Sequence, residues 1–231
     1  MCALRISLRA AFSATLAAGV LVSLTLQTPA AGAQPAAATP DPIIFVHGWN
    51  SNGSTWDTMA GRFAADGWPA GHLNQWTYNT SQSNATTASQ LAAEIDRVLA
   101  ATGATKVDIV THSMGGLSSR HYLKSLTGDT NADAWISLGG PNHGTETAHF
   151  CGGASCTEMR PGSSFLKALN SGDETPGASR FATWWSPCDS TINPDSSVAL
   201  AGATNTKTAC LSHGELRTDV TVYGQVKSFV G

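Results

Sequence analysis

The chain has 231 residues, 42% of them hydrophobic and 13% charged, with 13 Lys and Arg against 16 Asp and Glu and a formal net charge of −3. That balance describes one globular domain and excludes a disordered or fibrous chain. The cations are scattered without a basic stripe, so there is no electrostatic footprint for nucleic acid or an anionic membrane, and a substrate without strong charge is expected.

Arg5 and Arg9 precede an apolar run from Ala10 to Leu26, and Ala31-Gly32-Ala33 supplies the small residues a signal peptidase needs. Residues 1–33 therefore read as a signal peptide and 34–41, rich in Ala and Pro, as an unstructured lead-in to a domain at 42–231. A retained anchor is the rival reading, but the run falls short of the ~20 residues that span a bilayer. A secreted, extracellular monomer is expected. Loss of Cys2 with the signal leaves Cys151, Cys156, Cys188 and Cys210, an even set that in an oxidising compartment implies two disulfides. Cys151 and Cys156 are close enough in sequence to pair, leaving Cys188 for Cys210. A zinc site is the alternative, weakened by the lack of paired C-x-x-C units.

Pro42–Val46 is a continuous apolar run ended by His47-Gly48, a buried strand leading into a turn. Trp56, Met59 and Phe63 then recur at helical spacing, stopped by Asp66-Gly67, and Gln75–Tyr78 reads as a second strand. Thr86 or Thr87 can cap a helix whose apolar face is Leu91, Ile95, Val98 and Leu99, with Gly103 as its stop. Strands are expected at Val107–Thr111, Ala134–Leu138 and Phe181–Trp185, with a weaker one at Thr208–Leu211. Helices are expected at Met114–Leu126 and at the tail, where Val222, Val226 and Val230 align. Such alternation implies an α/β fold with a mostly parallel sheet covered by helices on both faces, and ligands at the carboxyl ends of its strands. Residues 144–180, rich in Gly, Ser and Thr, read as a loop excursion braced by Cys151 and Cys156, and too little chain remains for a cap domain.

S-x-G triplets stand at Ser51, Ser113 and Ser137, among others. Only Ser113-Met114-Gly115 falls between a buried strand and a helix, where a strained turn presents the hydroxyl beside helix N-terminal N–H groups. A serine there needs an imidazole to take its proton and a carboxylate to orient that imidazole. Asp189, just past the run ending at Trp185, is the favoured acid and Asp195 the runner-up; His213 alone among the histidines lies downstream in a loop before a terminal helix. Cys188 adjoins this acid and Cys210 precedes this base, so a bridge between them would hold the two loops together. His47 and His112 read as structural neighbours of the two turns. Trp49, Trp184 and Trp185 could line an acyl pocket or belong to the core. His143, Glu146 and His149 imitate a metal site, but H-E-x-x-H is absent, and neither metal nor other cofactor is expected.

The runs VHGW, VTHSMGG, SPCDSTINP and LSHGEL resemble those of small secreted bacterial lipases of class 2, actinomycete triacylglycerol lipases and minimal Bacillus lipases among them. The likeness runs from about Pro42 to the C-terminus and implies a minimal α/β-hydrolase. It also implies a catalytic order Ser113, Asp189, His213, and an oxyanion hole from the backbone N–H groups of Trp49 and Met114. One departure is Thr111, where the family pattern has Gly or Ala; its β-branched side chain is expected to crowd the turn. The implied activity is hydrolysis of lipid or other carboxylic esters through an acyl-enzyme. Cutinase-like polyester hydrolysis, phospholipase or acyltransferase activity would use the same residues, and a silent binding module would be expected to have lost one of them.

Overall fold

The computed structural model describes residues 39–230, together with Met1, Ala10 and Ala11. The expected signal peptide at 1–33 and residues 34–38 of the lead-in lie, those three aside, outside the described residues. Six strands form one parallel sheet in the order β2-β1-β3-β4-β5-β6. They are β1 (Ile43–Val46), β2 (Leu73–Trp76), β3 (Val107–His112), β4 (Ala132–Leu138), β5 (Arg180–Trp185) and β6 (Thr204–Lys207). The helices are α1 (Asp57–Ala65), α2 (Asn84–Thr102), α3 (Gly115–Ser125), α4 (Ala154–Met159), α5 (Ser164–Leu169) and α6 (Val220–Val230). Among the described residues no helix is long and apolar enough to cross a membrane.

Every residue of β1 and β3 is buried, as strands covered on both faces require. Ile44, Val46, Val107 and Ile109 point into one core with Leu91, Ile95 and Val98 of α2 and Leu117 of α3. Ile43, Phe45 and Val110 point into the other, with Met59 and Phe63 of α1 and Val222 and Val226 of α6. Full burial of each large aliphatic side chain here contributes about 1.5–3 kcal/mol.

The outer elements differ from the pattern in sequence. Helix α2 starts at Asn84: the Ser83 hydroxyl accepts from Thr86 N–H (3.1 Å), and Glu158 of α4 accepts from Asn84 N–H (2.6 Å). Strand β2 lies two residues earlier than expected and β6 four, since Leu73–Trp76 is only half buried and Thr204–Lys207 is a mostly exposed edge with no apolar alternation. The excursion after β4 contains α4 and α5, which bury Cys156, Met159, Leu166 and Leu169 against the α2–α3 side. Long-range bonds hold the end of α5. Lys124 of α3 donates to the carbonyls of Leu169 (2.9 Å) and Asp173 (2.8 Å), and Arg120 donates to Asn170 Oδ1 (2.9 Å).

Candidate active site

The chain turns sharply between β3 and α3, and Ser113 sits at the turn with φ +55°, a left-handed conformation that a residue with a side chain rarely adopts. Two hydrogen bonds fix it: Ser113 N–H donates to Leu138 O (3.0 Å), and Gly116 N–H donates to Ser113 O (3.0 Å). Thr111 does not crowd this turn. Its hydroxyl donates to Ile136 O on β4 (2.8 Å), and α3 opens with two glycines above it; a Cβ on Gly116 would already stand 3.5 Å from Thr111 Oγ1. Of the rival serines, Ser137 is wholly buried within β4, while Ser51 lies in an exposed loop at the edge of the same cleft.

Asp189 follows β5, and His213 lies in the loop between β6 and α6. His213 Nδ1 stands 2.7 Å from Asp189 Oδ2. Since an ionised carboxylate only accepts, Nδ1 carries the proton and Nε2 is left as the basic nitrogen. The other oxygen, Asp189 Oδ1, accepts from the N–H groups of Thr191 (2.9 Å) and Ile192 (3.1 Å). Asp195 instead opens a short 3-10 turn, Asp195–Val198, and makes no hydrogen bond to His213. Gly139, at φ +58°, packs against the Asp189–His213 pair: a Cβ there would lie 3.1 Å from Asp189 Oδ2 and 3.2 Å from His213 Nδ1.

His112 completes the setting. Burial, and then the neighbouring His213, hold it well below the ordinary imidazole pKa, so it is neutral. Its Nε2–H donates to the His213 carbonyl (2.9 Å), and the two rings lie 4.3 Å apart. His47, also pushed down by burial, donates from Nδ1 to Gly48 O (2.9 Å) and stacks on Tyr78. The His47-Gly48 turn lies against Ser113, because a Cβ on Gly48 would come within 2.8 Å of Ser113 Cβ. Trp49 and Met114 follow the two turns, and among the described residues neither backbone N–H is engaged in a backbone hydrogen bond.

Ser113 and His213 open onto one cleft of about 340 Å³, walled by Trp49, Ala148, Met159 and Ile192. Phe150, 91% exposed, and Trp49, 41% exposed, stand at its rim. Trp184 and Trp185 do not line it: Trp184 is buried against α6 and donates to Gln225 Oε1 (2.7 Å), and Trp185 carries Lys207 over its ring. Two disulfides, Cys151–Cys156 and Cys188–Cys210, brace the excursion wall and join the loop of Asp189 to the loop of His213. Ser186 was not singled out by sequence. It reinforces the second link, donating to Leu211 O (2.6 Å) and accepting from Leu211 N–H (2.8 Å) and Cys188 N–H (3.1 Å). His143 pairs with Glu174 (2.8 Å) and His149 with Glu146 (3.5 Å), and among the described residues no three His, Cys, Asp or Glu side chains gather as a metal site needs.

A parallel sheet whose central strand ends in a strained serine before a helix is the α/β-hydrolase architecture. The family model of Lipase (class 2) matches residues 40–227, and the chain belongs to that family. A triacylglycerol lipase of Burkholderia plantarii is 30% identical over 141 residues, 58% of this chain and 39% of that protein. One of Pseudarthrobacter phenanthrenivorans is 46% identical over 61 residues, 26% of this chain and 18% of that protein. The chain thus matches well under half the length of either relative. The mature Bacillus licheniformis lipase BlEst2 shares the fold, with a TM-score of 0.72 at 18% identity over 88% of this chain and 96% of that one.

Proposed function

We propose that the chain is a secreted, monomeric carboxylic ester hydrolase that cleaves lipid esters, triacylglycerols among them, through Ser113, His213 and Asp189. Neutral His213 takes the Ser113 proton as Oγ attacks the ester carbonyl. Asp189 keeps the proton on Nδ1 and stabilises the imidazolium that forms. The N–H groups of Trp49 and Met114 receive the developing oxyanion. His213 then protonates the leaving alcohol, and water, activated by the same imidazole, releases the acid from the acyl-enzyme.

The observation that carries this reading is the 2.7 Å Asp189–His213 bond in the cleft that also holds the strained Ser113. Family membership, the apolar cleft wall and the aromatic rim support an acyl substrate. The two disulfides support passage through an oxidising compartment, with residues 1–33 as the signal. A fluorophosphonate should label wild type at Ser113, and Ser113→Ala should lose both the label and ester hydrolysis while remaining folded. Labelling at Ser51 instead would refute the assignment.

A further inference from the structure

Arg217 is a charged side chain on the wall of the catalytic cleft that the mechanism above does not use. Its Nη1 donates to Thr55 O (2.9 Å), while its buried Nε meets no acceptor. Among the described residues it takes part in no ion pair. The carboxylates nearest in sequence are engaged elsewhere: Glu215 Oε2 accepts from Ser212 N–H (2.7 Å), and Asp219 Oδ1 accepts from Thr221 N–H (2.8 Å) and Val222 N–H (2.9 Å). Asp189 is bound to His213. Burial lowers the Arg217 pKa, with no anion to raise it, yet a guanidinium stays charged.

A half-buried cation without a counter-charge is costly, and a neutral side chain could supply the single bond to Thr55 O. The position makes the charge harder to explain by structure alone. The guanidinium reaches within 3.6 Å of where a Cβ on Gly214, the residue after His213, would stand. The same charge helps keep the buried His112 neutral. A planar guanidinium is also the side chain best matched to carboxylate or phosphate.

Resting on the ester-hydrolase reading, we infer that Arg217 is an anion-recognition residue of the cleft, and that the preferred esters carry a carboxylate or phosphate group beside the scissile bond. This departs from the uncharged substrate that the overall composition suggests, because composition averages over the surface whereas a single unpaired cation sets the field inside a cleft.

The test compares kcat/KM for two charged esters with those of their neutral methyl esters. Para-carboxyphenyl butyrate carries the anion on the alcohol side and mono-para-nitrophenyl adipate on the acyl side. In wild type, one charged ester should gain about tenfold in this ratio over its value in Arg217→Gln, the worth of one charge-assisted hydrogen bond. Arg217→Lys should recover part of the gain, and added salt should reduce it. The ester that responds tells which side of the substrate faces Arg217. Ratios equal in wild type and Arg217→Gln, including an equal fall for charged and neutral esters, would leave Arg217 as a brace for Thr55 and overturn the inference. If no ester is turned over and Ser113 is not labelled, the hydrolase reading fails instead. Calorimetric titration of para-carboxyphenyl butyrate into Ser113→Ala, with and without Arg217→Gln, then decides the anion site. Equal affinity in the two refutes it, and binding lost with Arg217 upholds it.

Discussion

Replacing Asp189 by Asn separates the acid's two tasks. The native carboxylate uses Oδ1 for the N–H groups of Thr191 and Ile192 and Oδ2 for His213. An amide has one acceptor oxygen, and the two loop N–H groups hold it, so the new NH₂ faces His213 Nδ1. That nitrogen must then give up its proton to accept, Nε2 takes the proton, and the imidazole can no longer act as base toward Ser113. The wrong tautomer costs about 10⁴ in kcat, or ~5.5 kcal/mol of transition-state stabilisation. The fold keeps both loop bonds, so unfolding free energy should change by about 1 kcal/mol or less. Asp189→Ala strips the acceptor from both N–H groups and should cost about 1–3 kcal/mol more in stability. Hydrolysis of para-nitrophenyl butyrate and thermal unfolding, measured on both variants and on Asp195→Asn, check this. Asp189→Asn within tenfold of wild type, or matched by Asp195→Asn, would show that Asp189 does not orient the base.

Gly139→Ala forces a side chain into left-handed backbone at a cost of about 1–2 kcal/mol, and wedges a methyl against the Asp189–His213 bond. Its kcat should fall further than its melting temperature suggests, whereas activity that simply tracks stability would remove the wedge. Burial pushes Asp108 up to about 8, so between the unfolded carboxylate value and that pH the folded chain keeps a proton the unfolded chain releases. Stability should therefore decline across this window, and Asp108→Asn should flatten the decline in melting temperature; an unchanged slope would place the cause elsewhere. With the excursion tied down by Lys124, Arg120 and the Cys151–Cys156 bridge, hydrolysis of tributyrin should show no jump at its solubility limit, and a discontinuity there would mark the excursion as a gate.

The parts legible in sequence are those that local pattern governs. The uninterrupted burial of β1 and β3 and the Leu91–Ile95–Val98 stripe of α2 are written as apolar periodicity, and Ser113 follows from its place between strand and helix. What escaped depends on partners distant in the chain. Helix α2 begins at Asn84, where Glu158, 74 residues away, joins the local Ser83 cap. Helices α4 and α5 are too short to persist on propensity alone; bonds from Arg120 and Lys124 support α5, and Ser155 and Glu158 tie α4 to Thr80 and Asn84. Strand β6 has no apolar alternation because it is an edge. Within the site, the hydrogen bond from His112 to the His213 carbonyl joins residues 101 apart, and no spacing rule announces it. The unpaired state of Arg217 is likewise visible only once its neighbours are known.

The weakness of β6 bears on how His213 is held. His213 follows the most polar strand of the sheet, four residues at an exposed edge, where little apolar burial fixes the chain. Asp189, by contrast, follows β5, whose inner residues are buried. A geometry of 2.7 Å between Asp189 and His213 therefore requires something other than packing to carry order from β5 to the loop beyond β6. Three links supply it. The Cys188–Cys210 bond joins the residue before Asp189 to a residue three before His213. Ser186 ties the same loops through both backbone groups of Leu211. His112, rigid in the fully buried β3, holds the carbonyl of His213 itself. Each link reaches a different point of the loop before α6, from Cys210 through Leu211 to His213, so the loop is fixed along its length. The disulfide is thus one part of a device that transfers the order of the central strands to an edge too polar to order itself.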